Sequence, residues 1–271
     1  MSFDKGNKFL SIAVRTARLA GQIILKNLGR ISKKDINHKQ KSDFVTRIDR
    51  ESEKIIIDAI KESFPDHLFL AEESLREAGT EKYRWIIDPL DGTTNYIHQY
   101  PVFSVSIALE YKKKIILGVV FDPLRDEFFT AEKGEGSFLN THPVRVSKIS
   151  SLSDSLITTG FPFRSKEFID EYLRLFKSVF NRVSDLRRAG SAALDLAYVA
   201  CGRCEGFFEI GLKPWDIAAG EILIKEAGGV VTDFGGGPDY LLTGNIVAGN
   251  PAIHGELLTE VKNVFAGIID K

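Results

Sequence analysis

Trp85-Ile-Ile-Asp88-Pro-Leu-Asp91-Gly-Thr-Thr-Asn95 is the stretch on which the reading of the whole chain turns. It opens with large apolar residues, as a buried strand does, and reaches a carboxylate at Asp88. Pro89 has no N–H to donate, so it is expected to stop the ladder and set a turn. A second carboxylate, Asp91, follows three residues after the first. Gly92, Thr93 and Thr94 then lead into a stretch able to start a helix. Strand ends and helix starts are where open α/β sheets place ligands. Free N–H groups at Gly92 and Thr93 would face outward and could hold an anion. Two carboxylates beside an anion cradle need a cation between them, and a hard, oxygen-liganded ion such as Mg²⁺ meets that need. The plainer alternative is an Asx turn in which Asp88 caps Gly92 or Thr93.

Working outward, two more acidic spots join this one. Glu72-Glu73-Ser74 follows the short apolar run Leu68–Ala71, so Glu72 also stands at a strand end. Asp216, in Lys213-Pro-Trp-Asp216-Ile-Ala-Ala-Gly220, stands at the start of an Ala-rich helix. Each has a bland alternative: a solvated loop for Glu72 and Glu73, an N-cap for Asp216. Taken together beside an anion cradle, one shared metal site accounts for all of them.

The remaining pattern is mixed. Helices are expected over residues 4–28 with Gly29 as C-cap, 48–63, 166–180, 192–201, 216–227 and 252–265. Thr46 and Asp49 resemble a capping box at the start of the second. Strands are expected over 68–71, 85–87, 103–110, 115–121, 127–131, around Ile157, and over 206–210, 229–232 and 246–248. This is an α/β or α+β chain, with helices layered on mixed sheets.

At this point a resemblance is plain. Asp88-Pro-Leu-Asp-Gly-Thr-Thr-Asn95 and Pro214-Trp-Asp-Ile-Ala-Ala-Gly220 resemble the two signatures of the inositol monophosphatase family, and Glu72-Glu73-Ser74 is similar to its third acidic element. The likeness covers nearly the whole chain. Arg187-Arg-Ala-Gly-Ser-Ala-Ala193 and Gly206-Phe-Phe-Glu-Ile-Gly-Leu-Lys-Pro-Trp215 place it nearest the bacterial branch. It implies an α/β (α+β layered) αβαβα sandwich of the inositol monophosphatase/fructose-1,6-bisphosphatase type. Residues 1–271 would form one compact phosphatase domain, with a metal- and phosphate-binding half (1–150) and a half carrying substrate contacts (151–271). The expected reaction is Mg²⁺-dependent hydrolysis of inositol monophosphates to inositol and phosphate by a metal-activated water, in a cytoplasmic homodimer.

Matched residue by residue, the resemblance implies that Glu72, Asp88 and the carbonyl of Leu90 hold a first Mg²⁺, and Asp88, Asp91 and Asp216 a second. Glu72 helps place a third. Gly92 and Thr93 bind phosphate through backbone N–H groups, and the Thr93 hydroxyl, backed by Asp49, orients the water. Asp49 thus has two readings, catalytic or capping. Asp91, Ala192, Glu209 and Asp216 are expected to contact the polyol. Glu209 follows a short apolar strand and comes shortly before Pro-Trp-Asp, which returns it near Asp216; its alternative is a solvated strand end.

Composition narrows the rivals. A net charge near −1 argues against direct nucleic-acid binding. No apolar run spans a membrane, and the charged first ten residues do not read as a signal peptide. Cys201 and Cys204, the two cysteines, read as thiols at a helix end. His98 reads as a helix residue. Within the enzyme class, fructose 1,6-bisphosphate or a broad range of sugar phosphates is the alternative substrate. From another class, some bacterial members of the family act as non-catalytic partners of the transcription machinery. Arg187 and Arg188 could serve such a contact or a dimer interface.

Overall fold

Side chains alternate across a strand, and that alternation sorts this chain into layers. The computed structural model describes residues 8–40, 43–74 and 82–269. The first half runs α1 (Lys8–Asn27), β1 (Ile36–Gln40), β2 (Asp43–Thr46), α2 (Arg47–Ser63), β3 (Leu68–Ala71), β4 (Tyr83–Asp91) and α3 (Thr93–Ile97). It continues through β5 (Ser104–Tyr111), β6 (Lys114–Asp122), β7 (Glu127–Glu132), β8 (Gly136–Leu139) and β9 (His142–Val144). The second half runs β10 (Leu156–Thr159), α4 (Ile169–Phe180), β11 (Asp185–Arg187), α5 (Ala192–Ala200), β12 (Gly206–Glu209) and α6 (Pro214–Glu226). It ends with β13 (Val230–Thr232), α7 (Tyr240–Thr243), β14 (Ile246–Gly249) and α8 (Pro251–Phe265). The expected start of the first helix at Asp4 lies outside the described residues.

A seven-stranded sheet has the order β3-β4-β5-β6-β7-β8-β9, and a five-stranded sheet the order β11-β10-β12-β14-β13. The β3–β4, β10–β11 and β10–β12 pairs are parallel; the other pairs in these two sheets are antiparallel. Trp85, Ile87, Val105, Ile107, Val119 and Phe121 point to one face of the larger sheet and pack on α1 and α2. Ile86, Ala108 and Val120, on the opposite face, pack on α5 and α6, which also meet Phe207, Ile246 and Ala248 of the smaller sheet. Ile157, Phe208 and Val247, on the far face of that sheet, meet α4 and α8. The layers are therefore α1/α2, sheet, α5/α6, sheet, α4/α8, the expected αβαβα sandwich.

Sequence and structure part company in a few places. Strand β4 does not stop at Pro89. It continues to Asp91, with a bulge: Asp88 pairs with Ser106 and Asp91 with Ser104. Three steps along β4 match two along β5, so the extra residue keeps Asp91 on the same face as Asp88. Without it, an odd spacing would send Asp91 to the opposite face. The pairs β1–β2 and β8–β9 and the edge strand β11 were not expected; they are short or polar and lack a clear apolar alternation. Asp216 is not the N-cap of α6. Lys213 is, and Asp216 is the third helical residue, its carboxylate turned back on the cap. His98 sits just past α3 as its C-cap. Among the described residues, no helix is long and apolar enough to cross a membrane.

The central helices approach the larger sheet closely at Gly118, where an added Cβ would stand 2.7 Å from the Ala219 carbonyl oxygen and 3.0 Å from its Cα. Gly118→Ala is therefore expected to cost about 1–3 kcal/mol through overpacking. Gly255, exposed within α8, has nothing near its missing Cβ, so Gly255→Ala should add up to about 1 kcal/mol. Urea midpoints of the two variants, moving in opposite directions from wild type, check both.

Candidate active site

Asp88 lies on the same face of β4 as Ile86, so it points into the helical layer where α6 begins. Asp91 reaches the same space through the bulge, and Asp216 enters it from the first turn of α6. Oxygens of these three buried carboxylates lie within 4.8 Å of one another. Each is held by donors. Asp88 accepts from the N–H of Leu90 at 2.9 Å. Asp91 accepts from the Ser191 hydroxyl at 2.6 Å and the Ala193 N–H at 2.8 Å. Asp216 accepts from the Lys213 N–H at 2.7 Å and from Arg164 at 3.0 Å. These bonds do not cancel the crowding. Burial, then Glu72, Asp91 and Asp216, push the Asp88 carboxyl well above its usual range. Burial and Asp216 push Asp91 up to about 7, against the bonds from Ser191 and Ala193. Burial raises Asp216 as well; Arg164 opposes the shift and Glu72 adds to it. A set of hard carboxylate oxygens that repel one another fits a hard divalent cation such as Mg²⁺.

Glu72 lines the same cavity but stands outside the tight group of three. Its N–H bonds to the Ile87 carbonyl at 3.2 Å, extending the β3–β4 ladder by one residue. Buried Glu53 of α2 holds the segment that follows, accepting from the Glu73 N–H at 2.7 Å and from the Ser74 hydroxyl. Sequence reasoning passed over Glu53. Its signal was the spacing: it is four residues after Asp49 on α2, hence on the same helix face.

The Asp49 carboxylate meets both the cap and Thr93 at once. One oxygen, Oδ2, accepts from the N–H of Thr46 at 2.9 Å and from its hydroxyl, closing the capping box. The other, Oδ1, accepts from the Thr93 hydroxyl at 2.8 Å, and that hydroxyl also lies 3.1 Å from the Leu90 carbonyl. Burial raises the Asp49 carboxyl, against the bonds from Thr46 and Thr93. Gly92, between Asp91 and Thr93, has φ +95°, and a Cβ there would stand 2.9 Å from the Val102 carbonyl. Only glycine makes this turn cheaply. Asn95 fixes the neighbouring loop, its amide donating to the carbonyls of Val102 at 2.8 Å and Ala189 at 2.9 Å.

The cavity measures about 280 Å³ and reaches from Glu72 and Thr93 to Glu209. Glu209 follows Phe207 on the inner face of β12, so its carboxylate points inward and is not a solvated strand end. It packs on Gly160, where any Cβ would overlap it. Burial, then Asp216, push its carboxyl up to about 8, with Arg188 opposing. Ala192 opens α5 beside it. Arg188, expected at an interface, also lines the cavity and lies over the rings of Phe161 and Phe163. Arg187 pairs instead with Asp185. Cys201 and Cys204 are free thiols at and beyond the end of α5, and neither lines the cavity.

The family model for inositol monophosphatases matches residues 6–265. The chain belongs to the inositol monophosphatase family. Nus factor SuhB of Escherichia coli K12 is 49% identical over 255 residues, covering 94% of this chain and 96% of that protein. The crystal structure of extragenic suppressor protein suhB from Bartonella henselae is 43% identical and superposes with a TM-score of 0.92, over 94% of this chain and 99% of that one. An inositol monophosphatase from Anabaena is 42% identical, with a TM-score of 0.85 over 94% and 96%. Members of both names thus share this fold at similar distance.

The raised pKa values have a sign. Asp91 goes from 3.8 to about 7 on folding, so the folded protein binds the extra proton between those values. Its contribution to stability is full below about pH 4 and is lost as pH rises through 7. Removing one charge relieves this repulsion. In EDTA, Asp88→Asn should therefore raise Tm relative to wild type at pH 8 and raise it less at pH 5. Equal Tm differences at both values would show that the three carboxylates do not repel in the fold.

Proposed function

We propose that this protein is a Mg²⁺-dependent phosphatase of polyol and sugar monophosphates, with inositol monophosphate as its substrate. The observation that carries the reading is the buried Asp88–Asp91–Asp216 group facing the Gly92–Thr93 turn across one cavity. Glu72, Asp88 and the Leu90 carbonyl would hold one Mg²⁺; Asp88, Asp91 and Asp216 a second; Glu72 would help with a third. Bound there, Mg²⁺ neutralises phosphoryl charge, lowers the pKa of a water and stabilises a leaving alkoxide.

The protein's own groups do the rest. The first N–H groups of a helix have no partner within it, so those of Gly92 and Thr93 bind phosphate oxygens. The Thr93 hydroxyl donates its hydrogen bond to Asp49 Oδ1 and keeps its proton, so its oxygen accepts from an incoming water. That water is thereby aligned on phosphorus. Asp91, Ala192, Glu209 and Asp216 receive the polyol, and Glu209, kept clear by Gly160, accepts from its hydroxyls. Residues 1–150 supply most of the metal and phosphate ligands and 151–271 most of the polyol contacts, so the whole chain works as one unit. On the outer face of α4, Ile169, Leu173 and Phe180 are exposed at helical spacing. An apolar stripe of this kind supports pairing with a second copy; light scattering checks the mass.

The name of the Escherichia coli relative, Nus factor, favours a second role as a partner of the transcription machinery. Capture of RNA polymerase by wild type and by Asp88→Asn alike would support a role independent of catalysis.

Three outcomes test the phosphatase reading. EDTA should abolish phosphate release and Mg²⁺ restore it, while Ca²⁺, with longer and looser coordination, should not. Asp88→Asn should lower kcat by ~10²–10³, the scale of one preorganised electrostatic group. Asp49→Asn and Thr93→Ala should each lower kcat, and the double variant should fall little further, because the two act as one unit. Losses that simply add would break the Asp49–Thr93 pair as a functional unit.

A further inference from the structure

Asp195 is the one charged residue in Ala192–Ala200, the helix that opens beside the cavity. It is 2% exposed, lines the cavity together with Glu209, and its Oδ1 has no hydrogen-bond partner. Its backbone N–H is used within the helix, bonding to the Ser191 carbonyl at 3.0 Å. The nearby cation does not serve it: the Arg188 guanidinium is turned over the Phe161 and Phe163 rings, 5.7 and 5.0 Å from their centroids. A buried carboxylate left without a donor is a costly arrangement. Packing does not require it, because a helix otherwise made of Ala, Leu, Tyr and Val would accept an apolar residue there. What distinguishes the position is its place. Asp195 lies one turn along α5 from Ala192, facing the part of the cavity where Glu209 points in from β12. Burial and then Glu209 hold its carboxyl well above the usual range, in keeping with two carboxylates that share one space.

We infer that Asp195 is a specificity-determining residue that takes a hydroxyl of the substrate's polyol beside the one taken by Glu209. The missing donor is supplied by the ligand. This rests on the phosphatase reading for its substrate class but not for its geometry. Together the two carboxylates would favour substrates carrying several hydroxyls over equally sized rings that carry none, since a bare ring leaves both acceptors unpaired.

The test compares inositol 1-phosphate with cyclohexyl phosphate, the same six-membered ring without hydroxyls, for wild type, Asp195→Leu and Asp195→Asn. Asp195→Leu should raise KM for inositol 1-phosphate about tenfold (about 1.4 kcal/mol) with kcat little changed, and leave cyclohexyl phosphate as in wild type. Asp195→Asn, which keeps an acceptor oxygen, should recover part of the preference and provides the comparison if the leucine variant does not fold. Tm of both variants should equal or exceed that of wild type, because an unpaired buried carboxylate is removed. Equal losses on both substrates, an unchanged preference, or a lower Tm accompanied by loss of all activity in both variants would each overturn the inference. If wild type releases phosphate from neither compound, it is the phosphatase reading that falls. The same preference is then read as Kd by calorimetry: its loss in Asp195→Leu sustains the hydroxyl contact, and its persistence removes it.

Discussion

Three carboxylates are held together inside this protein, away from bulk water, and much of the surrounding structure exists to hold them there. Like charges at such range oppose folding, and burial deepens the cost. The chain answers with donors drawn from separate elements: the N–H of Leu90 inside the bulge, Ser191 and the Ala193 N–H from the start of α5, the Lys213 N–H and Arg164 at the start of α6. Two helix starts therefore converge on one strand end. Their N-terminal dipoles favour negative charge on the same spot. The layered arrangement makes this meeting possible, since it sets the starts of α5 and α6 against the end of β4.

Much of this was legible in the sequence because carboxylates at strand ends and helix starts stand out against apolar flanks. Asp88, Asp91 and Asp216 declare themselves in this way, and the order of the large apolar strands does too. What escaped was of a different kind. Pro89 suggests a break, since a missing N–H suits a strand's end; here it falls where a bulge already gives up a ladder bond, so the strand passes through it. Asp49 reads as either cap or catalytic residue, but a carboxylate has two oxygens, and here one meets Thr46 and the other Thr93. Glu53 takes its meaning from partners 20 and 21 residues away, Glu73 and Ser74, beyond the reach of a local pattern. Short polar pairs such as β1–β2 and β8–β9 leave no apolar alternation to read.

The two sheets contribute unlike things to the cavity. The larger one brings Asp88, Asp91 and the Gly92 turn, all backbone-defined and intolerant of change. The smaller one brings Glu209, from the inner face of β12. On the proposed function, chemistry and recognition would be borne on different layers, joined by α5 and α6. Such a division lets substrate range change by substitution at the second sheet without disturbing the first. It accords with a family in which proteins named for different roles share one fold at similar sequence distance.

Helix α6 is buried along Trp215–Ile224 and is apolar on nearly every side, as befits a helix between two sheets. One consequence concerns time. A helix with no solvent face cannot fray outward, so its amides exchange with deuterium only when the layers separate as a whole. Since Asp216 rides on its first turn, a segment expected to exchange slowly and one wall of the cavity are the same piece of chain. Whatever enters or leaves the cavity passes the exposed rim at Phe161, Phe163 and Arg188, not the floor.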